Sequence, residues 1–234
     1  MNENRRSFLK KAAGAALGIG CGLPIRVDAS TTQLAMVVNK KKCLRQEVRQ
    51  ACTQACRRAH NLPDLSDSAH EVKWIWTEEY QNVFPDQTHS HDAQATKEEP
   101  VLVMCNHCTN PPCVKVCPTQ ATWRREDGLV MMDMHRCIGC RYCMVACPYG
   151  SRSFNWQDPR PHIPKDENGR LPSDYPTLDK GVVEKCNFCA ERLRDGLQPA
   201  CVEAANKVPG GEGALTFGNL ADPNSEVSRI LKKE

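Results

Sequence analysis

Apolar residues occur in short runs along this chain, and polar segments separate the runs. The longest apolar run, AAGAALGIGCGLPI, lies near the N-terminus and is shorter than the ~20 residues that a membrane-spanning helix needs. Two short runs typical of β-strands flank Asp127-Gly128, a dipeptide that favours a tight hairpin turn. Residues 222–225 indicate a turn and a helix cap before a short charged helix. The pattern therefore predicts short strands and short helices.

Residues 1–29 have the three regions of an export signal: a charged start, the apolar run, and small residues near Ala29. Arg5-Arg6, followed shortly by Phe-Leu-Lys, resembles the twin-arginine signal, whose substrates are exported after they have folded. The alternative is a buried amphipathic first helix. The signal predicts recognition by the twin-arginine export machinery, a mature chain that begins near Ser30 without Cys21, and a periplasmic location.

Cysteine is abundant in this chain and aromatic residues are scarce. The 234 residues include 15 cysteines, and only 6% are aromatic. This composition predicts that metal or disulfides, in addition to a small apolar core, hold the fold together. The balance of 31 basic against 28 acidic residues argues against nucleic acid as a partner, because that class needs a strongly basic surface.

Beyond Cys21 the cysteines form four groups, and two of them have the complete spacing of a bacterial ferredoxin. The second group has the pattern CxxCxxxxCxxxCP, and the third has CxxCxxCxxxCP. In chain order the groups are Cys43, Cys52 and Cys56; Cys105, Cys108, Cys113 and Cys117; Cys137, Cys140, Cys143 and Cys147; and Cys186, Cys189 and Cys201.

This spacing allows three thiolates on one loop to hold three corners of a [4Fe–4S] cluster, while the fourth thiolate ligates the neighbouring cluster. Gly139 lets the backbone come close to the cluster sulfurs. Exchange of the last cysteines between the second and third groups therefore predicts two clusters. Cluster one is held by Cys105, Cys108, Cys113 and Cys147, and cluster two by Cys137, Cys140, Cys143 and Cys117.

The first and fourth groups each lack one thiol. Arg49 lies three residues before Cys52, where a second ligand is expected, and Ala205 lies where the fourth group would end. Exchange between these groups assigns both losses to one site, whereas separate ligation would leave two clusters incomplete. Exchange predicts cluster three on Cys186, Cys189, Cys201 and Cys56, and a degenerate, vacant fourth site. Cys43 and Cys52 are then spare: buried structural thiols are the favoured interpretation, and a disulfide or the ligands of an unusual cluster are the alternatives.

A structural scaffold built on zinc or disulfides is the alternative of a different class. Structural zinc sites usually combine two separated CxxC pairs, and two successive four-cysteine runs fit that arrangement poorly. Cysteines three residues apart on one loop are seldom bridged to each other. The sequence also has no nucleophile–base arrangement and no phosphate-binding glycine loop, so it predicts an electron carrier without a catalytic site.

Over residues 34–234 the four groups resemble those of the iron–sulfur electron-transfer subunits of respiratory complexes. Stretches such as RRAHNLPD, EVKWIWTEEY and FGNLADPNSEVSRILKKE are similar to the periplasmic iron–sulfur subunits of the Dsr membrane complexes within this family. The resemblance implies an α+β fold of two tandem bacterial-ferredoxin-like modules. The second module, with the second and third groups, is expected to be inserted in the first.

The resemblance also implies partners and a place in the cell. The expected partners are an integral membrane quinone-interacting subunit, a multihaem cytochrome c and the other subunits of a respiratory complex in sulfur-compound metabolism. Such partners would attach the chain to the membrane. The alternative within the same family is the electron-transfer subunit of a molybdopterin-dependent reductase.

These groups define the predicted domain boundaries. Residues 30–100 contain the first group and a polar insertion, 101–157 form the inserted module, and 158–180 form a linker loop rich in Pro, Asp and Gly. Residues 181–234 contain the fourth group and the tail, and they are expected to pair with residues 34–60. His60 and His107 lie beside ligands, and we expect them to tune clusters without ligating iron.

Overall fold

The computed structural model describes residues 32–89, 91–165, 167–170 and 175–233. The predicted export signal, residues 1–29, lies outside the described residues. The strands are β1 (Leu34–Val38), β2 (Ile75–Glu79), β3 (Pro100–Met104), β4 (Thr122–Arg124), β5 (Val130–Met132), β6 (Ser153–Phe154), β7 (Val183–Glu184) and β8 (Leu215–Asn219).

Short helices connect these strands. The α-helices are α1 (Lys40–Cys43), α2 (Gln46–Ala59), α3 (Tyr80–Val83), α4 (Gln94–Lys97), α5 (Pro112–Lys115), α6 (Tyr142–Val145), α7 (Ala190–Arg194), α8 (Ala200–Lys207) and α9 (Glu226–Leu231). Turns of 3₁₀-helix lie at Ser68–His70, Pro85–Gln87 and Arg160–His162. This mixture agrees with the predicted α+β class. None of the helices in the described ranges has the length and apolarity that crossing a membrane requires.

The strands pair as antiparallel two-stranded ribbons: β1 with β8, β2 with β3, β4 with β5, and β6 with β7. The β1–β8 ribbon joins distant parts of the chain, because Leu34 lies opposite Asn219 and Val38 lies opposite Leu215. Helices α2 and α8 pack against each other beside this ribbon. Residues of the first and fourth cysteine groups are therefore neighbours in space.

The ribbon of β4 and β5 is the hairpin that the sequence predicts around Asp127-Gly128. The Arg125 N–H donates to Leu129 O at 2.7 Å, and Gly128 has a φ of 90°. A Cβ on Gly128 would meet only the flexible end of the Gln33 side chain, so the positive φ is what favours glycine at this turn. The Leu34 N–H donates to Asp127 O at 2.8 Å, which ties the hairpin to the start of β1.

The main core forms where α2 and α8 meet the surrounding ribbons, and it contains the fully buried Val48, Ala205 and Leu215 together with Trp74 and Leu129. A second, smaller core surrounds Cys113 and Cys143 and contains Val130 and Val183. The tail ends in α9, whose first turn is capped by Ser225, because its hydroxyl accepts from the Ser228 N–H at 3.1 Å. This cap is the one that the sequence predicts.

Candidate iron–sulfur centres

The thiols predicted for cluster one come together around one small cavity, although they belong to two separate groups. This cavity is lined by Cys105, Cys108, Cys113 and Cys147. Burial raises the pKa of the Cys108 thiol, and charge on the other three thiols raises it further. Cys113 lies in α5, and Cys147 follows α6. Packing of these two helices is therefore what brings the distant fourth thiol to the site.

The thiols predicted for cluster two line a second small cavity. They are Cys117, Cys137, Cys140 and Cys143. The loop between them turns at Gly139, which has a φ of 69°, and a Cβ there would clash with Gly181 O. Glycine therefore allows the loop to pass directly under the backbone before β7. Cys140 is exposed, so this site lies nearest to the surface.

The thiols predicted for cluster three also meet, from α2 and from residues 186–201. Burial raises the pKa of the Cys56 thiol well above its usual value, and charge on the three thiols of the fourth group raises it further. Burial raises the pKa of Cys186 and of Cys189 to about 12 each. The structure thus places Cys56 beside all three thiols of the fourth group, whereas Cys52 lies near Cys201.

His60 lies against this third set. Its Nδ1 is 3.0 Å from Cys56 O and 3.6 Å from Cys56 Sγ, and its Nε2 is 3.0 Å from Glu191 Oε1. Burial raises the pKa of the Glu191 carboxyl, but hydrogen bonds from His60, from the Glu191 backbone N–H and from Asn187 together outweigh this effect, and the pKa lies below its usual value. His60, Cys189 and Glu191 offer ligand atoms within 4.8 Å of one another. Because Cys189 belongs to the third set, this group is part of the same site.

The region of the predicted fourth site is packed with side chains. Cys43 and Cys52 are 1% and 0% exposed and belong to the main core, together with Val48 and Ala205. The Cys52 thiol donates to Cys201 O at 3.5 Å. Arg49, which replaces an expected ligand, donates instead to Cys43 O at 2.8 Å. Burial raises the pKa of Cys43 to about 11 and that of Cys52 to about 12, as expected for structural thiols.

The donor sets have the chemistry that a [4Fe–4S] cluster requires. All fourteen cysteines of the described ranges are free thiols, and three of the sites bring four sulfurs together. Backbone N–H groups of Phe188 and Ala200 donate to Cys186 Sγ and Cys189 Sγ, each at 3.4 Å. Such N–H···S bonds are typical around iron–sulfur clusters. Binding would deprotonate thiols whose pKa burial has raised, so assembly would release protons.

The three sets lie in a row, with the first set in the middle. Charge on Cys105 raises the pKa of Cys186, which joins the first set to the third. Charge on Cys113 raises the pKa of Cys143, which joins the first set to the second. The region of the fourth site continues the row beyond the third set, because charge on Cys52 raises the pKa of Cys201.

Two charged residues in this row escaped the sequence analysis. Lys185 and Arg152 are 3% and 4% exposed. Lysine and arginine are usually exposed, so hydropathy gives no signal for their burial. The available hint is position, since Lys185 precedes Cys186 and Arg152 follows the third cysteine group closely.

Comparison with known proteins agrees with this chemistry. Residues 101–178, which include the second and third groups, match the family model described as a 4Fe-4S dicluster domain. The chain is 37% identical to the Hdr-like menaquinol oxidoreductase iron-sulfur subunit 1 of Archaeoglobus fulgidus, over 98% of this chain and 90% of the relative. The chain belongs to the family of respiratory 4Fe-4S electron-transfer subunits.

Other members of this family are similar over most of the chain. The menaquinone reductase iron-sulfur cluster-binding subunit of Nitratidesulfovibrio vulgaris is 35% identical over 79% of this chain and 75% of the relative. The thiosulfate reductase electron transfer subunit PhsB of Salmonella typhi is 36% identical over 85% of this chain and 81% of the relative. The prediction of an iron–sulfur electron carrier is confirmed at this level, and catalysis in such complexes belongs to other subunits. The number of clusters and the ligand sets stay predictions.

Proposed function

We propose that this chain holds three [4Fe–4S] clusters and passes electrons between a quinone-interacting membrane subunit and a multihaem cytochrome c in sulfur-compound metabolism. The observation that supports the proposal is the meeting of four thiols at each of three sites, from segments that are distant in sequence. The names of the relatives include menaquinol, menaquinone and thiosulfate, and these names support a quinone partner and a sulfur compound.

The proposal includes two ferredoxin-like modules and a periplasmic location. The hairpin between the second and third cysteine groups supports the inserted module, and the β1–β8 ribbon with the α2–α8 packing supports the other one. The paired arginines at residues 5–6 support export by the twin-arginine route. Attachment to the membrane would then come from the partner subunits.

When bound, the clusters would supply one-electron chemistry at potentials that burial, charge and hydrogen bonds determine. The chain's own residues hold the row of sites, bury the third set most deeply, leave the first set partly accessible and expose Cys140 of the second. Ile138 and Val145 flank the second set and are 66% and 88% exposed. This apolar surface around Cys140 is the place where a partner would come closest to the row.

Anaerobic purification of the untagged mature protein tests the proposal directly. We expect about 12 iron atoms per chain, which is three clusters of four, and brown absorption that dithionite bleaches. About 16 iron atoms, or a colourless protein that contains zinc, would contradict it. A molybdopterin-dependent reductase is the second candidate, which the similarity to a thiosulfate reductase subunit supports. Copurification of this chain with haem, and without molybdopterin, would favour the first candidate.

A further inference from the structure

A buried lysine lies between the first and third ligand sets. The Lys185 ammonium donates to Val130 O and, at 2.7 Å, to Cys186 O. Burial lowers the pKa of this ammonium, and negative charge on Cys105, from the first set, and on Cys186, from the third, opposes the effect. Val130 lines the cavity of the first set and Cys186 belongs to the third, so the hydrogen bonds of Lys185 place its charge between the two sets.

A buried arginine lies between the first and second sets. One Arg152 nitrogen donates to Thr122 Oγ1 at 2.9 Å and another to Met132 Sδ at 3.6 Å. Arg152 lines the cavity of the first set, and Met132 lines that of the second. Burial lowers the pKa of Arg152, but the thiolates of Cys113, Cys143 and Cys105 together outweigh it and the pKa lies above its usual value. The guanidinium thus lies between the first and second sets.

Neither cation has an acidic partner in the part of the chain that the structure describes. The ion pairs found there involve other lysines, arginines and histidines. Burial of an unpaired cation costs several kcal/mol, so such a residue needs a nearby negative charge. A [4Fe–4S] cluster with four thiolate ligands carries net negative charge in both oxidation states. Each cation lies where two such charges would be closest.

We propose that Lys185 and Arg152 are fixed counter-charges between neighbouring clusters, and that each raises the reduction potential of the two clusters that it separates. A reduced cluster carries one more negative charge than an oxidised one, so a nearby fixed cation stabilises the reduced form more strongly. Low dielectric in the interior makes this effect larger than that of a surface charge. Cluster one feels both cations, whereas clusters two and three feel mainly one each.

The test is an EPR-monitored redox titration of the holoprotein and of charge-neutral variants. Lys185→Gln keeps a hydrogen-bond donor and removes the charge, so we expect the potentials of clusters one and three to fall while cluster two is unchanged. Arg152→Gln should lower the potentials of clusters one and two and leave cluster three unchanged. We expect at least a tenfold shift in each redox equilibrium, which is about 59 mV for one electron.

Controls separate charge from packing. Lys180→Met removes an exposed lysine just before β7, and its potentials should equal those of the unmodified protein because solvent and salt screen that charge. Lys185→Arg and Arg152→Lys keep the charge and should keep the potentials. The EPR signals are assigned with Cys56→Ala, which removes the predicted fourth ligand of cluster three, and with Cys140→Ala for cluster two.

Unchanged potentials in both Gln variants, with iron content intact, would overturn the inference. If a Gln variant loses iron, the charge-conserving variant at the same position decides. Recovery of iron and potentials supports the counter-charge role, and loss of iron there too shows a packing role and overturns the proposal for that residue. The inference rests on the proposed ligand sets. The iron content of the unmodified protein tests those ligand sets separately. Wrong ligand sets would therefore show in the iron content, whereas a wrong counter-charge role would show as unchanged potentials.

Discussion

Cys52 and Cys56 lie one helical turn apart on α2, and both are buried, yet their neighbours differ. The Cys56 thiol faces the thiols of the fourth group, whereas Cys52 packs in the core near Cys43. We expect Cys56→Ala to lose one cluster, leaving about 8 iron atoms per chain, while Cys52→Ala keeps about 12. Iron analysis with EPR is the measurement. Equal losses in the two variants would contradict the assignment of Cys56 to cluster three.

Gly139 is needed for its lack of a side chain and for its backbone conformation. An alanine Cβ there would clash with Gly181 O, and its φ of 69° disfavours any other residue. We expect Gly139→Ala to lose the signal of cluster two and to lower the thermal stability of the holoprotein. EPR spectra and the midpoint of thermal unfolding measure the two effects.

Gly196→Ala is the matched control, because Gly196 has a φ of 75° and no atom lies within 4 Å of the position that a Cβ would occupy. It should cost only the ~1–2 kcal/mol of a left-handed alanine and keep all clusters. Similar behaviour of the two variants would show that the close approach to Gly181 is unimportant.

Individual buried cations are the part of the site that residue patterns could not predict. The spacing of cysteines is a local property, so the sequence indicates which groups bind iron. Burial of Lys185 depends on β5 and on residues near Cys186, which are far apart in the chain. A hydropathy pattern assigns every lysine to the surface, and only the tertiary structure shows this exception.

At the scale of elements, α2 and α8 form the part of the fold where a fourth site would otherwise be built. Val48 of α2 is fully buried and lies close to Gly211, where a Cβ would be 3.2 Å from Val48 Cγ2. We expect Val48→Ala to leave a cavity and to destabilise the protein by about 2 kcal/mol. The midpoint of denaturant-induced unfolding, followed by tryptophan fluorescence, measures this effect.

Glu47→Ala, one residue earlier on the same helix, is the control for this prediction. Glu47 is exposed, so the change should alter the free energy of unfolding by less than about 0.5 kcal/mol. A Val48→Ala midpoint equal to that of Glu47→Ala would show that the packing of Val48 does not support the fold.

Local turn chemistry explains which elements the sequence predicts correctly. The Asp127-Gly128 hairpin and the cap at Ser225 depend on residues that are adjacent in the chain, and both are present. The β1–β8 and β6–β7 ribbons join residues far apart, and β6 and β7 have only two residues each, so no periodicity indicates them. The polar insertion is bounded by β2 and β3, and their pairing with each other is a further ribbon that was not predicted from the sequence.

At the scale of the whole molecule, the surface beside Cys140 is the expected contact with a redox partner. We expect Val145→Glu to keep all iron but to reduce copurification of the other subunits, because it places a charge in an apolar contact. The measurement is the yield of partner subunits recovered with a tag on this chain, together with quinol-driven cluster reduction in membranes.

Leu231→Glu provides the comparison for that experiment. Leu231 is 49% exposed near the C-terminus and lies on α9, away from the three cysteine sites in sequence. Its variant should retain the partner subunits and the rate of reduction. Equal losses in both variants would mean that an added surface charge, and not the Cys140 surface, causes the effect.

The packed region that contains Cys43 and Cys52 adjoins the third ligand set, because the Cys52 thiol donates to Cys201 O and its charge raises the pKa of Cys201. Loss of a cluster from the middle of the row would open a gap that electron tunnelling crosses slowly. Loss of the outermost cluster only shortens the conducting path. Conduction along the proposed clusters would therefore stay continuous with one relay fewer. A protein that exchanges electrons at this end would have to reach the third set across the packed side chains around Cys43 and Cys52, a thicker insulating layer than a cluster in that position would leave.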